Sequence, residues 1–418
     1  MLLLPAVDPT RRVVLDIDGR KLDQWVRVDL THDLSELSAS FELSFRDETR
    51  SIETWEYATP VAGEGPLDWG AKCEISIDGE TWLIGWVDDV LPEAGNMPGT
   101  VTIIGRDITG DLVDCPPDPR GKHEYRDISL TEFAEKLCKP FGIKVRADVD
   151  VGPKFDKCVV EAGETVLSAI AKYAKQRGVL VTTDRVGTLV ITRSGQERAA
   201  DDIAFPGNVT RSRGSFSARE RFSDYFVKGQ SEKNGGKRAK TAALDATADP
   251  LDAAPTQPAP ATDAPEDVAE GAGALVMGHA QDKEVTRWRP HISMARTKAN
   301  AFDAQRQAEW EMRTRRGKGD KEDYVYRGFR AGTANQLWKP NTLAMVNDRF
   351  ARLDRDMLLA GVRVSYSQRG EETRLRITGP EAYDLLPEAD RRAKKSSGKT
   401  KASASTSAGK LDGTARPL

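Results

Sequence analysis

Hydrophobic and polar positions follow two different periods along this chain, and the changes between them divide it. Phe41, Leu43 and Phe45 alternate with Glu42 and Ser44, and Cys73, Ile75 and Ile77 alternate likewise, the period of a half-buried strand. The run at 13–17 leads into Asp18-Gly19, and the run at 73–77 meets Asp78-Gly79 before 82–87. Asp-Gly between two such runs predicts a tight hairpin. Residues 101–104 read as a further strand punctuated by Gly105, Leu112-Val113 as a short apolar step, and Pro116-Pro117-Asp118-Pro119 as a break. Residues 1–115 are therefore expected to form a small antiparallel sheet or barrel.

Over 116–200 the period becomes helical. Ser129-Leu130-Thr131-Glu132 has capping-box spacing, and Leu130, Phe133, Ala134 and Leu137 then share one helical face, stopped by Pro140. A second helix is predicted over about 165–177, with Val166, Ala169, Ile170 and Tyr173 on its apolar side and Gly178 as its stop. Residues 179–183 and 188–192 follow as a hairpin around Asp184 to Gly187. This reads as a compact α/β unit.

From 201 to 387 β character returns, at 224–229, and then breaks off. Residues 241–270 hold ten Ala and five Pro, too little apolar surface to offset chain entropy, so about 231–275 is expected to be a disordered insertion. Structure is expected to resume at Trp288-Arg289-Pro290. A helix is predicted over 294–316, with Ala295, Ala299, Phe302 and Trp310 on one face, then strands at 324–329, 345–346, 362–366 and 375–377. Residues 388–418 carry eight basic against three acidic residues and read as a flexible basic tail.

At 418 residues the chain is long enough for two to four domains, each with its own core. A net charge of −3 argues against a general nucleic-acid or membrane-surface binder. Four separated cysteines without a Cys-x-x-Cys pair suit reduced thiols and signal neither a zinc site nor a disulfide framework. Pro5 and Asp8 cut short the apolar start, no export signal is read, and no run reaches the ~20 apolar residues of a membrane span.

Candidate chemistry adds little. Asp88-Asp89 and Glu371-Glu372 read as solvated turns rather than acid–base pairs, and His32, His123, His279 and His291 lack metal-ligand spacing. There is no Gly-x-Ser-x-Gly elbow and no phosphate-cradling Gly-x-x-x-x-Gly-Lys loop, so no catalysis, cofactor or metal is expected. Arg306, Arg313, Arg315, Arg316 and Lys318 gather toward the end of the 294–316 helix. Cations are favourable at a helix C-terminus, or they form a patch for an acidic partner or nucleic acid. Trp338 is either an interface anchor or a core residue.

In this order the pieces resemble the baseplate hub proteins of Mu-like contractile-tailed phages. The residues carrying the resemblance are Leu34, Ser38, Phe41 and Phe45, then 79–87, Gly105-Arg106-Asp107 and 111–115, Pro140-Phe141-Gly142-Ile143, Ala162-Gly163-Glu164, Leu337-Trp338-Lys339-Pro340-Asn341, and 361–366 with 373–380. The resemblance spans about 10–230 and 280–387. It implies a mainly β, α+β chain with two tube-like β-barrel domains (1–115 and 201–387) around a small α/β domain (116–200). It further implies a non-enzymatic homotrimer, a pseudo-six-fold ring joining the tail tube to the central spike, with wedge proteins as further neighbours and DNA passing through the lumen. The place of action would be the virion tail baseplate, assembled in the host cytoplasm. Unpaired edge strands would be the docking points of such a ring, and Trp338, Arg313, Arg315 and Arg316 are the interface candidates. A hub from a phage-derived bacteriocin would have the same sequence features. A tail-associated cell-wall hydrolase would need a catalytic domain that the low-complexity segments do not offer, and a nucleic-acid-binding module would rely on the 306–318 cluster.

Overall fold

The computed structural model describes residues 12–17, 19–47, 69–93, 99–230, 275–295, 301–332, 335–367 and 370–385. The expected basic tail, and all but the last residue of the expected insertion, lie outside them.

The chain is mainly β. The first part holds β1 (Val13–Ile17), β2 (Arg20–Leu22), β3 (Arg27–Asp33), β4 (Ser40–Asp47), β5 (Lys72–Ile77), β6 (Glu80–Glu93) and β7 (Gly99–Asp107). The turn at Asp78-Gly79 joins β5 to β6 as the pattern predicts, with both residues at positive φ. Gly105 does not end its strand. It lies inside β7, where a side chain would run into the Trp86 backbone and the Phe41 ring. After β7 the expected short apolar step at Leu112-Val113 is part of a short helix, α1 (Gly110–Asp114).

The middle part is β8 (Glu124–Ile128), α2 (Leu130–Cys138), β9 (Lys144–Ala147), β10 (Phe155–Val159), α3 (Val166–Arg177), β11 (Leu180–Thr183) and β12 (Thr188–Thr192). Both helices begin where capping chemistry places them. Ser129 Oγ accepts from the Glu132 amide at 3.2 Å, and Glu132 returns a bond to the Ser129 amide at 2.9 Å. Thr165 caps α3, and Gly178 ends it in the left-handed conformation. The predicted apolar faces are the buried ones, and Phe133 stacks edge-on against Tyr125 and Tyr173. Ser129→Ala should lower the stability of this part by about 1 kcal/mol. A shift in the urea midpoint with an unchanged slope would show it, whereas no shift would mean the cap bonds contribute nothing net.

The last part holds β13 (Glu197–Arg198), β14 (Ile203–Phe205), β15 (Val209–Phe216), β16 (Asp224–Gln230), β17 (Leu275–Gln281), β18 (Pro290–Met294), α4 (Ala301–Gly319), β19 (Asp320–Arg327), β20 (Arg330–Ala331), β21 (Gln336–Leu337), β22 (Thr342–Asp348), β23 (Leu353–Ser367) and β24 (Gly370–Thr378). Residues from Leu275, ahead of the expected Trp288, already form a strand, because β17 pairs along its whole length with β16. The helix begins later than the predicted 294, since Met294 belongs to β18. Ala304 and Ala308 are its buried small residues, and they let it close on β17, where a side chain at Gly278 would strike the Ala304 backbone.

The first and last parts do not keep separate cores. β23 pairs antiparallel with β3, from Gly361 opposite Asp33 to Tyr366 opposite Val28. This joins the two parts into one 14-stranded sheet, and a single buried cluster runs from Val13 to Ile377 beneath it. The α/β part has a second cluster of its own. Among the described strands, hydrogen bonding closes neither part into a barrel; the strand path is open at both ends.

Candidate functional site

The spine of the large sheet is eight strands in the order β15-β19-β24-β23-β3-β4-β7-β6, and every neighbouring pair is antiparallel. Alternate residues face opposite sides of a strand. Tyr324, Leu375, Val362, Leu30, Phe41 and Ile103 therefore face the core, and the residues between them form a mostly polar face interrupted by Val325, which is buried, and Ile104.

That face has a charge gradient. Arg211 and Arg213 on β15, Arg374 and Arg376 on β24 and Arg363 on β23 occupy one side, with Asp323 among them. Asp29 on β3, Glu42 on β4, and Asp89 and Glu93 on β6 occupy the other, with Arg27 on β3 and Arg106 on β7 among them. The two sides meet at the β3–β23 seam, where Arg363 donates to Asp29 at 2.8 Å, Arg376 donates to Asp33, and Arg27 also reaches Asp29 at 2.7 Å. The hydrogen bond to the Asp29 carboxylate holds the Arg363 guanidinium above its ordinary pKa range, against burial, which lowers it.

Both ends of the spine are open edges. Among the described residues, β15 is paired only with β19. Among the described residues the outer half of β6 is likewise paired only with β7, because its bonds on the other side stop at Val87. A register shift between Val87 and Asp89 puts Asp88 and Asp89 on the surface together, so this pair lies at a bulge inside a strand and not in the expected turn. Asp88 is bonded to Arg106 at 2.8 Å. Glu371 and Glu372 likewise open β24 instead of forming a turn, and Arg12 donates to Glu371 at 2.6 Å. Pro92 is a residue tolerated at a strand edge. Each open edge also exposes a large apolar side chain, Leu91 at 50% and Phe216 at 55%.

The interface candidates from the sequence do not gather here. Trp338 is 1% exposed and packs edge-on against Tyr326, so it is a core residue of this chain. Arg313 faces Asp384 at 3.5 Å, and Arg315 reaches His291 Nε2 at 3.1 Å while lying over the Phe222 ring. Arg316 is half-buried on the same helix. The α4 cations are thus partly engaged within the chain.

A second surface is the small sheet β17-β16-β18, one side of which is covered by α4. Its other side exposes Met277, Ile292 and Met294, with Phe226 stacked on His279 at 4.6 Å. Among the described residues no cluster of three or more His, Cys, Asp or Glu could hold a metal, and no helix is long and apolar enough to cross a membrane. The four cysteines are free, and burial pushes the thiols of Cys73 and Cys138 up to about 12.

Comparison with known proteins agrees with this layout. Residues 12–107 match the family described as Mu phage baseplate assembly protein GpP-like, N-terminal. Residues 109–193 match baseplate hub protein gp44-like, second domain, and residues 300–386 match Mu phage baseplate assembly protein GpP, fourth domain. The chain is 28% identical over 390 residues to the baseplate hub protein gp44 of Escherichia phage Mu, covering 92% of each. The crystal structure of the 43 kDa tail protein of prophage MuSo2 from Shewanella oneidensis is 30% identical, with a TM-score of 0.72 over 90% of this chain and 99% of that one. A tail protein from Neisseria meningitidis MC58, 20% identical, shares the fold with a TM-score of 0.64 over 90% of this chain and 98% of that one. These matches define a component of the phage tail baseplate. The chain belongs to the gp44-like family of Mu-type baseplate hub proteins.

Proposed function

We propose that three copies of this chain close into a pseudo-six-fold ring that joins the tail tube to the central spike and leaves a lumen for DNA, with β15 of one copy pairing to the outer half of β6 of the next. The observation that carries this reading is the open eight-strand spine with a basic end and an acidic end. Eight is an even number, so β15 and β6 run in opposite directions, and joining them continues the antiparallel alternation around the ring. The contact is head-to-tail, the type that generates closed rings when the rotation between copies allows it.

Two four-stranded halves in each chain, β15-β19-β24-β23 and β3-β4-β7-β6, would give a three-chain ring six similar segments. That arrangement could present a six-fold surface to a tube and a three-fold surface to a spike. The mixed charge of the polar face suits a lumen that DNA slides past without being held. Light scattering over a range of concentrations tests the assembly. A species near three times 45.9 kDa supports it. A protein that stays at 45.9 kDa at every concentration, both alone and co-expressed with its spike, overturns it.

A further inference from the structure

Where the three parts of the chain meet there is a polar cavity of about 280 Å³. His32 of β3, Thr182 and Arg185 of the β11–β12 hairpin, Arg146 of β9, and Lys339 ahead of β22 line it. Three of these side chains are at least nine-tenths buried: His32 is 5% exposed, Thr182 9% and Arg185 9%. Both His32 ring nitrogens, Thr182 Oγ1 and Arg185 Nη1 have no hydrogen-bond partner.

Arg185 is firmly placed. Its residue sits at φ 69°, its carbonyl accepts from the Ile84 amide at 2.9 Å, and its guanidinium lies 4.8 Å from the Trp82 ring centre. Of the carboxylates around it, Asp148, Asp184 and Asp107 are engaged elsewhere, and Glu197 on the cavity wall is exposed. Asp148 accepts from Arg146 at 2.7 Å, and Asp184 accepts from the Val186 and Thr188 amides that shape the turn. Asp107, whose charge also acts on Arg185, accepts from Ser38, from the Ala39 amide and from Thr109. A buried cation with a free donor is costly, and a ligand of opposite charge removes that cost.

We propose that this cavity binds a small oxyanion, a phosphate or carboxylate group. Arg185 Nη1 is its charged donor, with Thr182 Oγ1 and a His32 ring nitrogen as the neutral ones. Such a ligand would tie the α/β part to both halves of the large sheet, since each contributes to the cavity wall. The site is separate from the open edges β15 and β6, so it stands or falls independently of the ring.

The test is thermal unfolding and calorimetric titration of the full chain with inorganic phosphate and, separately, acetate, at an ionic strength held constant with sodium chloride. A saturable rise in Tm with one of these anions is expected, and it should be absent in Arg185→Gln. Because Arg185 also stacks on Trp82, Thr182→Val serves as the second variant. It keeps the shape of the side chain and removes one donor, and should weaken binding by ~5-fold or more. An equal rise in the wild type and Thr182→Val, a rise that chloride reproduces, or no saturable rise with either anion would overturn the proposal.

Discussion

Replacing Arg211 and Arg213 together by glutamate is expected to convert the proposed ring into monomers of 45.9 kDa without disturbing the fold. Both side chains lie on the polar face of β15, and both are exposed. A ladder of four to six inter-strand bonds contributes about 2–9 kcal/mol net, at about 0.5–1.5 each, whereas a micromolar contact needs about 8 kcal/mol. Backbone pairing alone is therefore marginal, and side chains at the seam decide whether it holds. In the proposed joint Arg211 and Arg213 meet Asp89 and Glu93 of the next copy, while Leu91 and Phe216 leave water. Arg211→Glu with Arg213→Glu puts carboxylates on both sides of the seam, and like charges on adjacent strands repel. The reciprocal pair, Asp89→Arg with Glu93→Arg, should also give monomers. Combining all four substitutions should restore the trimer mass. Asp88 is left out because it is bonded to Arg106 within its own chain. Light scattering on the three variants reads the result. Trimers in both double variants would remove this seam from the assembly, and a quadruple variant that stayed monomeric would show that charge pairing across it is not the determinant.

The parts visible in the sequence are those held by local chemistry. The capping box at Ser129, the apolar face of α3 and the Asp-Gly hairpin each depend on residues a few positions apart, and each forms where its pattern lies. What pairs across distance left no local mark. Nothing near Val28 announces that it lies opposite Tyr366, so the shared sheet and the shared core were not visible as two parts joined. Strand β23 extends far beyond the predicted 362–366, because residues 357–362 are buried on both faces and lose the alternation used to recognise strands. Strand β17 follows an Ala/Pro-rich stretch and has few aromatic or β-branched residues, so composition assigned its first residue to the insertion. The bulge at Val87 hid the meaning of Asp88-Asp89, since alternation assumes an unbroken pleat. The edge residues did carry a signal, in Arg211 and Arg213 and in Asp89, Leu91 and Glu93, each spaced by two. Spacing alone does not say that the strand lacks a neighbour. His32 and Arg185 are farther still from local recognition, lying 153 positions apart and meeting only as walls of one cavity in the folded chain.

Lowering the pH from 7 to 4.5 is expected to cost the protein stability through His32. Burial, and secondarily the charge of Arg185, push the pKa of this histidine down from 6.5 to about 3. The sign follows from which state binds the proton. Below pH 6.5 the unfolded chain protonates His32 and the folded chain does not, so the unfolded state gains until the pH approaches 3, where the folded state also takes up the proton. Above 6.5 the residue is neutral in both states and contributes nothing to pH dependence. Two units of separation at pH 4.5 correspond to about 2.7 kcal/mol lost. The other charges lining the cavity, Arg146, Lys339, Asp148, Asp184 and Glu197, surround the same ring. Asp107 works in the opposite direction, since burial raises its pKa and makes the folded state bind a proton earlier. These groups are present in both the wild type and His32→Gln, so the difference between the two profiles isolates His32. His32→Gln should lose about 2.7 kcal/mol less than the wild type between pH 7 and 4.5, read from urea unfolding at equal protein concentration. Parallel profiles would mean that His32 can protonate in the folded state, by opening of the cavity or by an anion bound beside it. Where the profiles differ as expected, repeating them with saturating phosphate should shrink the difference, because an oxyanion beside the ring lets it take up its proton in the folded state.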